Sequence, residues 1–257
     1  GFFHTGPAYH GTMQELQKLG HVAFTQPTSG LQRFFERVCI TVLAPAVQLR
    51  NRFDTYGVEI NDSSISLRIE YPAGLVTAPQ TQANYQPGAK SATLILGADA
   101  QTLSWSYVAT DFPYLMRSAS PVAKAIGGGT TSRDLLSADV LKVAHHASKH
   151  GVNLELIERI APSFTLVSSV GGGGSYRFPH TVTQEALREA IQPIAGGTNA
   201  RKSDEELRIF YTSDTSAPDG APAGSFAALL NGRRRQLWRF GDEPTDPIDL
   251  THARSVS

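Results

Sequence analysis

One cysteine, Cys39, is all the thiol this chain has, so no internal disulfide framework can hold it together. Its neighbours Val38, Ile40, Val42 and Leu43 predict a buried strand thiol. An excess of charge is also missing. Lys plus Arg number 23 and Asp plus Glu number 23, which removes any long-range pull toward nucleic acid or anionic membrane and leaves only local patches. No apolar run approaches the roughly 18 residues of a membrane span. No signal peptide is visible, and the expectation is a cytoplasmic location. The glycine run Gly171–Gly174 lacks the Lys-Ser/Thr pair of a phosphate loop, which excludes P-loop chemistry. No internal repeat is visible.

What is present is a layered pattern. The 257 residues suffice for a substantial core. Apolar stretches bounded by turn residues predict strands in "RVCITVLAP", "SSISLRIEY", "SATLILGADA", "ADVLKVA", "FTLVSSV" and "LRIFYTSD". Helices are predicted for "GTMQELQKLG", where Thr12 and Glu15 have capping-box spacing, for "TLSWSYVA", for "NLELIERIAP", and for "TVTQEALREAI", where Thr181 and Gln184 repeat that spacing. Asn231-Gly232 marks a hairpin inside "GSFAALLNGRRRQLWRF". "APQTQANYQPGAK" reads as a hairpin loop and "SASPVAKAIGGGTTSRD" as a flexible insertion. Alternating strands and helices make this an α/β protein over residues 1–240, followed by a polar tail, 241–257.

Chemistry-bearing residues gather where apolar runs stop. Asp99 follows Leu94–Leu96, and at that place an Asp is a metal ligand, a catalytic acid or a turn former. His145 and His146 stand side by side after Val140–Ala144. Adjacent strand residues point to opposite faces, so both histidines serve chemistry only if the strand has already ended. Imidazole is the commonest ligand of zinc-like metals, and the pair reads equally well as ligands or as satisfied structural groups. His180 follows the glycine run and precedes a helix. The glycines themselves read as a floppy turn or as a loop approached closely by a ligand. His4 and His10 match no metal template, and "NDSS" at 61–64 reads as an Asx-type turn. Arg233–Arg235 read as a solvated hairpin tip or, alternatively, a phosphate-gripping one.

Taken in order, "ITVLAP", "NDSSISLRIEY", "ATLILGADA", "SADVLKVAHHAS", "IAPSFTLVSSVGGGGSYRFPH" and "RIFYTSD" resemble the metallo-β-lactamase fold, in its ComEC-like branch. That branch is named for the hydrolase domain of bacterial competence proteins. The match runs over about residues 38–235, and the order of six weak motifs is more specific than any one. The resemblance implies an αββα sandwich with a two-metal site, zinc by default and manganese as an alternative. Asp99 would bridge the metals, His145 or His146 would bind one, and His180 would lie near substrate. The implied reaction is hydrolysis of a phosphodiester, in nucleic acid or a nucleotide, by a metal-activated water.

The departures are Ala98 lengthening Gly-Asp to Gly-Ala-Asp, Ala147 in place of glycine, and Pro179 in place of the glycine before His180. The family's first ligand cluster, His-x-His-x-Asp-His, occurs nowhere in the chain. Gly1 fits a glycine that follows that cluster. The expectation is that the N-terminal part of the fold is missing, and that an upstream segment or a partner chain completes the metal site. The alternative is a catalytically degenerate subunit with a scaffold or binding role in a larger complex.

Overall fold

In a computed structural model the chain is described at residues 7–21, 25–51, 60–71, 91–112, 136–151, 154–169, 175–191, 202–213, 224–230, 235–240 and 254–255. The hairpin loop predicted near residues 78–90, the insertion at 118–134, the glycine run Gly171–Gly174, His4, Arg233 and Arg234 lie outside them.

The first helix, α1, spans Pro7–Lys18. It begins at a proline, whose fixed φ and missing N–H suit a first helical position. Thr12 therefore sits inside the helix and does not cap it, and Glu15 pairs instead with Lys18 at 2.6 Å. Seven strands follow: β1 Gln32–Phe35, β2 Val38–Ala44, β3 Ser66–Tyr71, β4 Ala92–Leu96, β5 Val140–Lys142, β6 Phe164–Val167 and β7 Ile209–Tyr211. They line up in chain order as one sheet. The pairs from β1 to β4 are antiparallel and those from β4 to β7 parallel.

A short helix, α2, Val47–Asn51, follows β2. Each parallel connection carries a longer helix: α3 Thr102–Asp111, α4 Leu154–Ile160 and α5 Thr181–Ile191. This is the crossover that parallel strands require. Cys39 is buried on β2 and free, as its apolar setting predicts.

The alternation of side chains along β5–β7 separates two cores. Leu141, Val167, Ile209 and Tyr211 join Ile95 in packing with Trp105, Val108, Leu156, Ile157, Ile160 and Leu187 of the three helices. Val140, Phe164 and Phe210 face the other way, onto Leu237, Phe226 and Leu230. Those last three belong to a second sheet, made of β8 Ser225–Leu230, β9 Arg235–Phe240 and β10 Arg254–Ser255. The two strands predicted to flank Asn231-Gly232 pair antiparallel, with Leu230 opposite Arg235, and Asn231 and Gly232 themselves lie outside the described residues. Arg254 and Ser255 add a short strand to β9. The described layers are thus helices, a mixed sheet and a small antiparallel sheet, an α/β architecture.

Two polar ties close the layers. The first three residues of "NDSS" belong to a 3-10 turn, Ile60–Ser63, rather than to a purely local Asx turn. Buried Asp62 uses Oδ1 to accept the backbone N–H of Ser104, in the first turn of α3, from 42 residues away. At the other end Arg188 of α5 donates to both oxygens of Asp204, from Nε at 2.5 Å and Nη2 at 2.7 Å.

Tyr211 lies beside this pair. Its phenol is pushed up to about 12, first by burial and then by the Asp204 carboxylate. The unfolded phenol ionises near 10. Between those values the folded state keeps a proton that the unfolded state has lost, so stability falls as pH rises through the window. Tyr211→Phe removes this group. Denaturant melts from about pH 9 to about pH 11 should show a shallower alkaline decline for the variant than for the natural chain. Identical declines would show that Tyr211 does not carry the effect.

Candidate active site at the carboxyl edge of the sheet

Parallel strands present their carboxyl ends together, and ligands in α/β sheets collect there. β4 ends at Leu96, and Gly97 N–H donates to Lys142 O of β5 at 3.0 Å. A Cβ on Gly97 would stand 2.8 Å from the backbone nitrogen of Ala144 and 2.9 Å from its Cα and Cβ. Only glycine lets the two strand ends approach so closely. Ala98 then turns with φ +48°, and half-buried Asp99 follows.

The chain after β5 answers what two adjacent histidines do at a strand end. The strand stops at Lys142, and His145, His146 and Ala147 all take left-handed backbone angles, with φ of 47°, 53° and 59°. Such conformations cost non-glycine residues roughly 1–2 kcal/mol each. The surroundings hold them in place. His145 N–H donates to Ala98 O at 2.8 Å, Ser148 N–H returns to His145 O at 2.8 Å, and buried Ala144 is wedged between Gly97 and Gly151. The turn that carries Asp99 is therefore bonded directly to the turn that carries the histidines.

A third segment joins them from the start of α5. His180 N–H donates to Ala147 O at 3.1 Å, and His180 Nδ1 accepts the backbone N–H of Lys149 at 2.9 Å. His180 O accepts the N–H groups of Thr183 and Gln184, so the helix opens on His180 and the predicted Thr181 cap is replaced by backbone bonds. Beside it, Ser169 and Thr212 exchange two hydrogen bonds between the ends of β6 and β7.

These partners fix the imidazole tautomers by chemistry. A carbonyl can only accept, so His146 Nδ1, 2.8 Å from Ser168 O, carries the hydrogen and leaves the Nε2 lone pair free. This backing by a carbonyl is the one usual for a metal-ligating histidine. A backbone N–H can only donate, so His180 Nδ1 is bare and its proton sits on Nε2, as a donor and not a ligand. His145 Nδ1 lies 3.4 Å from Gln101 Nε2, which can only donate, so this weaker tie leaves His145 Nδ1 as the acceptor and its proton on Nε2.

Phe178, not singled out in the sequence, is the hub of the three rings. Its centroid lies 5.5 Å from His145, 5.9 Å from His146 and 5.1 Å from His180. Its signal was an aromatic pair, Tyr176 and Phe178, packed into "SYRFPH". Lys142 was also passed over, though it interrupts an apolar run. Burial pushes its ammonium below the ordinary lysine value, and the charge of Asp99 partly offsets that. Arg235 corrects the solvated-tip reading: it lies on β9, and its guanidinium sits 2.7 Å from buried Asp139. His10 lies on α1.

Among the described residues no group of three or more His, Cys, Asp or Glu side chains is placed to hold one metal ion. No helix among them is long and apolar enough to cross a membrane. The chain matches no family model, no curated protein and no solved structure.

Proposed function

We propose that this chain is a phosphodiester hydrolase of metallo-β-lactamase type, in the ComEC-like branch, acting on nucleic acid or a nucleotide. The observation that carries the reading is the bonding of three chemically loaded turns at one sheet edge: Ala98 to His145, and Ala147 and Lys149 to His180. Two further features support it. Ala147 has φ +59° where the family carries glycine, and His146 presents a free Nε2 with its Nδ1 anchored.

The donor set fits a zinc or manganese ion in part. Asp99 and His146 would hold it, and the described residues supply no closed cage. When bound, such an ion would supply Lewis-acid stabilisation of charge on a phosphoryl oxygen. The chain's own groups divide the remaining work. His180 Nε2–H donates a hydrogen bond to a phosphoryl oxygen. Phe178 packs against all three imidazoles and holds their orientation.

Lys142 favours a second reading. Burial disfavours its ammonium while the Asp99 carboxylate favours it, so a lysine shares the surroundings of the carboxylate that the resemblance gives to the metals. A catalytically degenerate subunit with a scaffold or binding role would have this feature. The complete protein, with any segment or partner chain that fills out the site, stripped with chelator and then given excess Mn²⁺ or Zn²⁺, separates the two. Metal-dependent cleavage of bis-p-nitrophenyl phosphate or single-stranded DNA is expected. No cleavage of either substrate with either metal would hand the site to the second reading.

A further inference from the structure

The aromatic rings at this edge form a column. Tyr176 lies 5.7 Å from Phe178 with planes 11° apart, and Phe178 lies 5.9 Å from His146 with planes 13° apart. The inner end of the column is a candidate site residue. The outer end is Tyr176, 75% exposed, which makes it the most exposed large apolar side chain among the described residues. A tyrosine left so open gains little from folding, since only one ring face is covered.

Two exposed cations, Arg177 and Lys149, belong to the segments that form the column. Arg177 follows Tyr176 directly and is held with φ +53°, which turns the chain sharply between the two stacked rings. Exposed Lys149 follows the histidine turn and is anchored to His180 through its backbone. In a chain of zero formal charge this is a local concentration of positive groups around an open π face. Parallel rings continued outward, with cations at the rim, suit a flat aromatic group attached to an anionic backbone.

We propose that Tyr176 is the outer step of a stacking platform for an unpaired nucleobase of single-stranded nucleic acid, with Arg177 and Lys149 contacting the flanking phosphates. This rests on the phosphodiester reading and names its substrate class: single strands, whose bases are free to stack, over duplex, whose bases are not. A base seated on Tyr176 would lie two rings out from His146, so the phosphate cleaved would be one near, and not within, the stacked nucleotide.

The test is fluorescence anisotropy on the full chain. The probes are labelled oligothymidylate, an abasic strand with the same number of phosphates, and a duplex of equal length. The natural chain should bind the base-bearing strand about 5- to 150-fold more tightly than the abasic strand, the range expected for one stacked base. Tyr176→Ala should erase that preference with an unchanged melting temperature, and Tyr176→Phe should keep it. Arg177→Ala should weaken both strands alike and flatten the salt dependence. Equal affinity of the natural chain for base-bearing and abasic strands, or an unaltered preference in Tyr176→Ala, would overturn the platform. The outcome is separable from hydrolysis. Base-selective binding without cleavage keeps the platform and removes the hydrolase, whereas cleavage without base selectivity does the reverse.

Discussion

Asp99→Ala should abolish phosphodiester cleavage, by at least about a hundredfold, while leaving the melting temperature nearly unchanged. The carboxylate is half-buried at the end of β4, and the turn that carries it is held by backbone bonds that alanine retains: Gly97 to Lys142, Ala100 to Gly97, and His145 to Ala98. The fold therefore does not depend on the Asp99 side chain. Its chemistry does, because Asp99 is the acidic member of the three bonded turns and the group whose charge acts on Lys142.

Two controls sharpen the result. His180→Gln retains an amide donor near the same place and should lose less activity than His180→Ala. His146→Ala should lose less than Asp99→Ala, since it removes one end of the site and not its centre. Wild-type turnover in Asp99→Ala would reduce Asp99 to a turn residue. A large fall in melting temperature would make its role structural.

Much of this arrangement was legible in the sequence. Apolar runs with the right periods marked β2 to β7 of the main sheet and the longer helices, because burial on one or both faces is what those runs record; β1, exposed along its whole length, was not predicted. Asp99, the histidine pair and His180 stood out because polar residues that end apolar runs fall at the carboxyl edge of a parallel sheet. The rest depended on partners far along the chain. The Asp62 cap on α3 spans 42 residues, and a local reading saw only a turn. Thr12 and Glu15 had capping spacing, yet Pro7 opened the helix a turn earlier. The different roles open to His145 and His146 follow from a left-handed turn made by residues other than glycine. No propensity scale anticipates that, because packing between Gly97, Ala144 and Gly151 imposes it. Arg235 looked like one of three solvated arginines, and nothing local named its carboxylate.

That carboxylate carries the largest expected stability effect. Asp139→Ala should destabilise the fold by about 3–5 kcal/mol, the range for removing one partner of a buried ion pair. Asp139 sits at the start of β5, and its side chain is 6% exposed. Oδ2 accepts the buried backbone N–H of Thr93 at 2.7 Å and its hydroxyl at 3.1 Å, while Oδ1 meets Arg235 Nε at 2.7 Å. Its backbone carbonyl accepts the N–H groups of Ser163 and Phe164. One residue thus joins β4, β5 and β6 of the main sheet to β9 of the second sheet. Alanine keeps the backbone bonds but leaves the Thr93 N–H buried without its acceptor and Arg235 without its counter-charge, and both losses act in the same direction. Arg235→Met should cost less, because Arg235 is 27% exposed and Asp139 keeps its two Thr93 bonds. Asp139→Asn retains one acceptor oxygen for Thr93 and should fall between them. Thermal unfolding should show the order directly, with Asp139→Ala melting about 6–20 °C below the natural chain for a protein of this size. A cost under about 1 kcal/mol for Asp139→Ala would mean that the two sheets are joined by their apolar face alone, through Val140, Phe164, Phe210 and Leu237.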